Sequence, residues 1–348
     1  MIYIVTIFII VLMYYIIKFS KIKHKEKVFL KITFIILFLL LALRNEYHFY
    51  DIQNYIRGFN LIKEMPLKDA FEVINAEPIY IILVKLISFF SFNERIFLGI
   101  TSLLSLIGPY LFIKRNSKNY LMSVIMYIGF GFYILTFYAI RQAIALSLLL
   151  YITKFLTNKN YIKFTVGVII ATLIHNSSII FIFNIFLTKI KMSNIINYFY
   201  IVIAFIVLFM SENINNFIIT FFYSEYINYE SKSSGINLFI LISSLLIFCI
   251  FLKNVNKYDF KNNSIENISI NNIYFSGILQ ILAINNGIIA RLINNSYIFI
   301  ILIFPYVITN NKKNKNIVNI LATTIILVVT IYLLYSYPLE LQYLIMNI

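Results

Sequence analysis

Apolar runs of about 15–20 residues recur from one end of this 348-residue chain to the other. Such a run, when helical, matches the roughly 30 Å hydrocarbon core of a bilayer. Only 12% of the residues are charged and 61% are hydrophobic, whereas soluble proteins are typically about 25% charged. No loop is long enough to bury a core of its own. The sequence therefore predicts an all-α, polytopic integral membrane protein that forms a single membrane-embedded domain over residues 1–348.

The distribution of basic residues predicts the orientation of the chain. The net charge is +15, and the lysines cluster in short loops such as KFSKIKHKEK at 18–27 and KNVNKYDFKNN at 253–263. Short basic loops are typical of the cytoplasmic side of a membrane protein, so the charge indicates orientation and anionic lipid rather than nucleic acid. Residues 2–17 have no basic residue before them, and we expect a first membrane helix rather than a removable signal peptide. Both termini are then predicted outside, in a membrane whose inner side faces the cytoplasm.

The apolar runs predict about 12 crossings, with external loops at 44–77 and 211–236. PIYIILVKLISFF at 78–90 is predicted instead as an external helix lying in the membrane interface, because Lys85 and Ser88 interrupt its apolar face. The GFG at 129–131 is interpreted as a packing feature between helices. The predicted crossings are 1–17, 28–43, 96–113, 120–138, 143–156, 161–174, 178–190, 195–210, 237–252, 272–288, 296–309 and 317–336.

Arginines are few, and most of them fall on the predicted external side. The chain has 23 Lys and 6 Arg, and Arg44, Arg57, Arg141 and Arg291 all lie outside in this topology, against the usual bias. The guanidinium group binds phosphate or carboxylate through two parallel donors, which an ammonium cannot do. These arginines are candidates for holding an anionic group such as a lipid phosphate. The alternative is that they only reach towards lipid headgroups.

Two other external positions could carry chemistry. Asp51, Tyr55 and Phe59 follow one another at four-residue intervals and so share one face of a helix. The Asp51 carboxylate could accept a proton from a sugar hydroxyl or hold a divalent ion, and it could equally be a surface charge. His175, in ATLIHNSSII, could act as acid or base near neutral pH, or could be a hydrogen-bonded interface residue. No cofactor-binding motif occurs, and no cofactor is expected beyond a possible metal at Asp51.

Five short patterns, taken in order, resemble the EpsG family of bacterial exopolysaccharide proteins, which is related in role to the Wzy polymerases. The resemblance lies in an arginine after a membrane helix, Asp-x3-Tyr-x3-Phe, Glu-Pro-hydrophobic-Tyr, Arg-Gln-x-Ile-Ala and Ala-x3-His-x-Ser. It covers residues 44–178, and the glycine often found before the aspartate is absent from RNEYHFYD. In this chain the patterns comprise Arg44; Asp51, Tyr55 and Phe59; Glu77, Pro78 and Tyr80; Arg141, Gln142, Ile144 and Ala145; and Ala171, His175 and Ser177.

The resemblance implies an enzyme that polymerises undecaprenyl-diphosphate-linked oligosaccharide repeat units at the outer face of the membrane, for capsule, exopolysaccharide or O-antigen. Its partners would be that lipid-linked substrate, membrane lipids and other polysaccharide-assembly proteins. Asp51 is the first candidate for the base and His175 the second. The alternatives are a flippase of lipid-linked glycan, a glycan ligase and a membrane acyltransferase. The residues assigned to diphosphate or substrate binding are Arg44, Arg141, Gln142, Arg291, Tyr55, Glu77 and Tyr80.

Overall fold

The computed structural model describes residues 2–45, 50–222, 261, 263–284 and 287–309. Every secondary-structure element within these ranges is a helix, as the sequence predicts. The predicted crossings at 237–252 and 317–336 lie outside the described residues, as does the part of the 211–236 loop that follows residue 222. The loop predicted at 44–77 contains two helices, and the first of them includes Asp51, Tyr55 and Phe59.

The N-terminal third consists of two long helices and three shorter ones. α5 begins at the Glu77-Pro78 pair with proline in its first turn, where the missing N–H costs nothing. Lys85 of α5 donates hydrogen bonds to the carbonyl groups of Ile62 and Met65, so this lysine closes the end of α3. The helices are α1 (Ile2–Phe19), α2 (Lys25–Ala42), α3 (Tyr50–Glu64), α4 (Leu67–Val73) and α5 (Pro78–Phe90).

The middle of the chain consists of four helices, two of which meet at a sharp bend. The crossing predicted at 120–138 is two helices bent by 47°, with Gly131 between them at φ 86°, a left-handed conformation that glycine adopts at low cost. The GFG sequence is therefore a helix break, and the Phe130 ring within it also packs against Tyr297. The helices of this part are α6 (Glu94–Asn116), α7 (Tyr120–Gly129), α8 (Phe132–Tyr138) and α9 (Ile140–Thr157).

In the last described third, a 3₁₀ helix and a short α-helix stand in place of the single crossing predicted at 178–190. A long helix then extends twelve residues into the predicted external loop at 211–236, so that residues 211–222 are helical. Asparagine or serine side chains cap several helices by accepting an N–H of the first turn, as Asn160 and Ser264 do. The elements are α10 (Tyr161–Thr172), a 3₁₀ helix (Asn176–Phe183), α11 (Asn184–Leu187), α12 (Asn194–Phe222), α13 (Ile265–Ala283), α14 (Gly287–Tyr297) and α15 (Ile300–Thr309).

Within the described residues, four helical segments are long and apolar enough to cross a membrane, or five if the bent pair α7–α8 is one span. The count of about twelve crossings is not confirmed. α10 has 12 residues and α5 has 13, which at about 1.5 Å per residue is well short of a 30 Å core. The four segments are Glu94–Asn116, Ile140–Thr157, Ile195–Ile218 and Arg291–Thr309.

A close crossing of α6 and α9 fixes the helix that carries Arg141. A Cβ atom built on Gly108 would overlap the backbone carbonyl of Ser147, so only glycine allows the two backbones this near. The Ser147 hydroxyl accepts a hydrogen bond from the Gly108 N–H, at 2.9 Å. α9 is consequently held against α6 at this close approach, and Arg115 of α6 adds hydrogen bonds to the Leu150 and Tyr151 carbonyls of α9.

A second region, which we call the amide seam, is formed by buried asparagines of α13. Asn267 donates to the carbonyl of Ile190 at 2.8 Å and accepts from the N–H of Met192 at 3.3 Å. Asn271 donates to the same Ile190 carbonyl at 2.9 Å, and Asn272 pairs with Asn184. The seam therefore satisfies the backbone of the irregular stretch between α11 and α12 with uncharged groups.

Candidate functional site

One cavity collects most of the predicted site residues. It has a volume of about 550 Å³, within the range of small-molecule sites. Its walls come from α3, from the α4–α5 connection and α5, from α8 and α9, from His175 and from α14. We call it the arginine cavity. Of the nine site residues predicted from the sequence, seven line it: Asp51, Tyr55, Tyr80, Arg141, Gln142, His175 and Arg291.

The other two predicted residues do not line the cavity. Arg44 is 1% exposed, and its guanidinium donates to the Leu41 carbonyl at 2.9 Å and to the Ser102 hydroxyl at 3.0 Å. It joins the end of α2 to α6 and does not line the cavity, because these two helices lie side by side where the chain leaves α2. Its assignment to diphosphate binding stays a prediction.

Glu77 lies behind the wall rather than in it. One carboxylate oxygen, Oε2, accepts a hydrogen bond from Nη1 of Arg141 at 2.6 Å. The other, Oε1, accepts from the Asn176 N–H at 3.0 Å and lies 3.2 Å from Nδ1 of His175, in an alignment too poor for a hydrogen bond. Glu77 therefore contacts two cavity residues and the start of the 3₁₀ helix, in place of the substrate contact predicted for it.

The Glu77 carboxyl stays ionised in this setting. Burial by itself would raise its pKa, but the contact with His175, the charge of Arg141 and the Asn176 N–H together lower the pKa to about 2. These partners favour the charged form more strongly than burial disfavours it. A permanent negative charge consequently lies between Arg141 and His175.

Arg141 belongs to the first turn of α9, not to a turn between helices as the sequence predicted. A cation at a helix N-terminus meets the positive end of the helix dipole, which is unfavourable. Glu77 offsets that cost. The guanidinium also lies over the Tyr80 ring, 5.9 Å from its centroid, and 28% of the Arg141 side chain remains exposed.

Two contacts of α14 link it to the other walls. Gln142 is buried and donates its amide N–H to the Arg291 carbonyl at 2.8 Å, so it positions the backbone that carries Arg291. Asn295 donates to the Ser177 carbonyl at 2.8 Å. The Arg291 side chain itself is exposed, and none of the ion pairs found among the described residues involves it.

The opposite wall comes from α3. Asp51, Tyr55 and Phe59 share one face of this helix, as their spacing predicts. The Tyr55 and Tyr80 rings meet edge to face, with centroids 6.0 Å apart. Burial raises the pKa of Tyr55, against the opposing charge of Arg141, so its hydroxyl remains a neutral hydrogen-bond donor. The Asp51 side chain is exposed into this space.

Several cavity residues were missed by the sequence analysis. Asn54 follows Asp51 by three residues and Asn294 follows Arg291 by three, so helical spacing could have identified both. Tyr138 ends α8, and its hydroxyl is within electrostatic range of both Asp51 and Arg291. No sequence pattern places Tyr138 there, because the break between α8 and α9 decides where it points.

The part of the chain that the structure describes contains no preformed metal site. No three His, Cys, Asp or Glu side chains there lie close enough together to hold a metal ion. The groups that do converge are two guanidinium groups, two carboxylates, an imidazole and several phenols. That set suits an anionic, hydroxyl-rich ligand.

The fold and the site together define a class of protein: a helical membrane protein with a polar cavity lined by arginine, aspartate, histidine and tyrosine side chains. The EpsG family model matches residues 27–345, nearly the whole chain. The chain therefore belongs to the EpsG family, which indicates a membrane protein of exopolysaccharide biosynthesis. Searches of curated proteins and of solved structures each gave no significant match.

Proposed function

We propose that this protein polymerises oligosaccharide repeat units linked to undecaprenyl diphosphate, in capsule, exopolysaccharide or O-antigen synthesis, at the outer face of the cytoplasmic membrane. The observation that carries the proposal is the arginine cavity. In a chain of an exopolysaccharide family, it brings Arg141 and Arg291 together with Asp51, His175 and several tyrosines. A ligand with two phosphates and several hydroxyl groups matches that set.

The reaction needs a leaving group that can depart as an anion. The bond between the anomeric carbon of the growing chain and the diphosphate oxygen breaks, and a bond to a hydroxyl oxygen of the incoming unit forms. Cations aimed at the developing charge stabilise this step, and one such donor is typically worth about 10²–10³ in rate. Arg141 and Arg291 fit this role because both line the cavity and come from different helices.

The acceptor hydroxyl must also lose its proton. A side chain within hydrogen-bond reach that takes up the proton contributes about 10²–10⁴ in rate. Asp51 on α3 and His175 before the 3₁₀ helix are the two candidates, and both line the cavity. Tyr55, Tyr80 and Tyr138 offer ring faces and hydroxyl groups for sugar binding.

The test is polymerisation by the purified protein in lipid vesicles, given a synthetic undecaprenyl-diphosphate-linked repeat unit as the only substrate. We expect a ladder of products, with one undecaprenyl diphosphate released for each linkage formed. A flippase would move the substrate across the bilayer without lengthening it. A ligase would require a different acceptor, and an acyltransferase an acyl donor. Absence of the ladder with intact, folded protein would refute the proposal.

The outer-face orientation has a separate test. The chain has one cysteine, Cys249, so a cysteine-free background needs a single substitution. Leu61 on α3 is 48% exposed, and Lys21 lies in a basic loop. In intact cells a membrane-impermeant thiol reagent should label Leu61→Cys and spare Lys21→Cys, which should react only after permeabilisation. The reverse pattern would place the cavity on the cytoplasmic side.

A further inference from the structure

We propose that Glu77 is the positioning residue of the arginine cavity: it holds the His175 ring with Nδ1–H towards its carboxylate, so that Nε2 of His175 is the atom that takes the acceptor proton. The inference rests on the proposed function and deepens it, because it chooses between the two candidate bases. Glu77 itself touches neither substrate nor reacting atoms in this scheme.

The geometry around Glu77 supports the first half of the inference. Its two carboxylate oxygens have different partners. Oε2 accepts a hydrogen bond from Arg141, whereas Oε1 accepts one from the Asn176 N–H and faces Nδ1 of His175. The side chain is 8% exposed, and the Asn176 contact joins it to the chain next to His175. Since a carboxylate only accepts hydrogen bonds, the nitrogen facing it must carry the proton in neutral His175. The 3.2 Å contact is poorly aligned, as catalytic contacts often are before substrate binds.

The state of the second nitrogen supports the other half. Nε2 of His175 is buried and has no hydrogen-bond partner among the described residues, although His175 lines the cavity. A catalytic role is one reason for a buried polar atom to lack a partner. With Nδ1 protonated, Nε2 has a free lone pair. It can accept the hydroxyl proton as the hydroxyl oxygen attacks the anomeric carbon and the diphosphate leaves with the electron pair.

Asp51 is left with a binding role. Its carboxylate is exposed, and among the described residues no hydrogen bond or ion pair orients it. A base oriented by a third group is the arrangement that general-base sites use repeatedly, and in this cavity only His175 has such a group. The charged and titratable groups around His175 are Glu77, Arg141 and Arg291, with Asp51, Tyr55, Tyr80 and Tyr138 also lining the cavity.

The first test needs no activity. The chain has three histidines, His24, His48 and His175, so ¹⁵N-histidine spectra of the protein in lipid vesicles are simple, and His175→Gln assigns the signal. We expect His175 to be protonated on Nδ1 and free on Nε2 in the wild type. Glu77→Gln should mix the two tautomers, whereas Glu77→Asp and Arg141→Gln should preserve the wild-type form. The same tautomer in Glu77→Gln as in the wild type would overturn the inference.

The second test is kinetic and uses the polymerisation assay. Glu77→Gln should lower kcat about 10²–10⁴-fold and change the KM for the lipid-linked donor less. Glu77→Asp should retain most of the wild-type kcat. Glu72→Gln, at an exposed carboxylate of α4, is the matched control and should behave as wild type.

The variants also reveal whether Glu77 and His175 act together. If they do, Glu77→Gln/His175→Gln should be no slower than the slower single variant. Two outcomes would show that Glu77 acts only on Arg141. One is that the losses of the two single variants add in the double variant, and the other is a raised KM with unchanged kcat in Glu77→Gln. Absence of polymer with the wild-type protein would refute the proposed function instead, and the tautomer measurement would still decide the Glu77–His175 arrangement.

Discussion

The arginine cavity and the amide seam are both polar regions inside an apolar protein, yet they use different chemistry. Around the cavity some of the polar contacts are between charged or titratable side chains: Glu77 neutralises Arg141 and faces His175. Along the seam, asparagine amides bond to backbone groups and to one another, with no charged side chain among the contacts described above. Charged groups cost far more to bury than amides unless they are paired, so their concentration at one cavity indicates function, while the amides can be explained by packing alone.

Among the variants of the cavity and the seam, replacement of Arg141 should have the largest effect, and the effect should be a loss of activity. Arg141→Lys keeps the charge but loses the planar fork, so it cannot bind Glu77 and a phosphate together in the same geometry. We expect polymerisation to fall about 10²–10³-fold, equivalent to roughly 2.7–4 kcal/mol of transition-state stabilisation. The assay is polymer formation at equal amounts of folded protein.

Arg57→Lys is the matched control for that experiment. Arg57 is an exposed arginine on α3 whose side chain donates to Asn54, and it does not line the cavity. It should retain nearly full activity. Wild-type turnover by Arg141→Lys would mean that the arginine serves only as a charge near the membrane surface.

Acid should distinguish the two regions by their stability. The folded pKa of Glu77 is about 2, below its ordinary value of 4.5. The stability that Glu77 contributes is therefore fully present above pH 4.5 and is lost as the pH falls towards 2, by about 3 kcal/mol in total. Thermal unfolding in detergent between pH 6 and pH 3 should show about 2 kcal/mol of this loss in the wild type and a smaller loss in Glu77→Gln. Equal acid sensitivity of the two proteins would contradict the ionic pairing.

The amide seam should respond to truncation with a loss of stability alone. Asn267→Ala leaves the Met192 N–H without its acceptor and removes one of the two amide donors to the Ile190 carbonyl, and we expect a cost of about 2 kcal/mol. The effect should not depend on pH, and the activity per folded molecule should stay unchanged. Asn213→Ala, at an exposed asparagine of α12, is the control and should unfold at the wild-type temperature. Reduced activity per folded molecule would give the seam a functional role.

Asp51→Asn should have the smallest of these effects. If Asp51 binds substrate hydroxyls and His175 takes the proton, the KM for the lipid-linked substrate should rise about 10-fold, equivalent to 1.4 kcal/mol, with kcat nearly unchanged. Asp69→Asn, on the exposed side of α4, should behave as wild type. A loss confined to kcat would instead restore Asp51 as the base.

The sequence by itself determined the helical membrane class and most members of the site. Long apolar runs can be satisfied in a membrane only by helices that bond their own backbone, so this conclusion needs no tertiary information. The four-residue spacing of Asp51, Tyr55 and Phe59 predicts a common face because helix geometry is local. Arg141, Gln142 and His175 were identified as members of short patterns, and the cavity contains all three.

The tertiary structure decided the roles and the partners. Glu77 precedes Arg141 by 64 residues and Asn176 by 99, and no local rule indicates that one carboxylate contacts both. Arg44 was grouped with Arg57, Arg141 and Arg291 by the predicted topology, yet it packs against Ser102 because α2 and α6 lie side by side. Local propensity specifies which segments are helices. Which side chains meet depends on how the helices cross, and that is fixed by distant contacts such as Gly108 against Ser147.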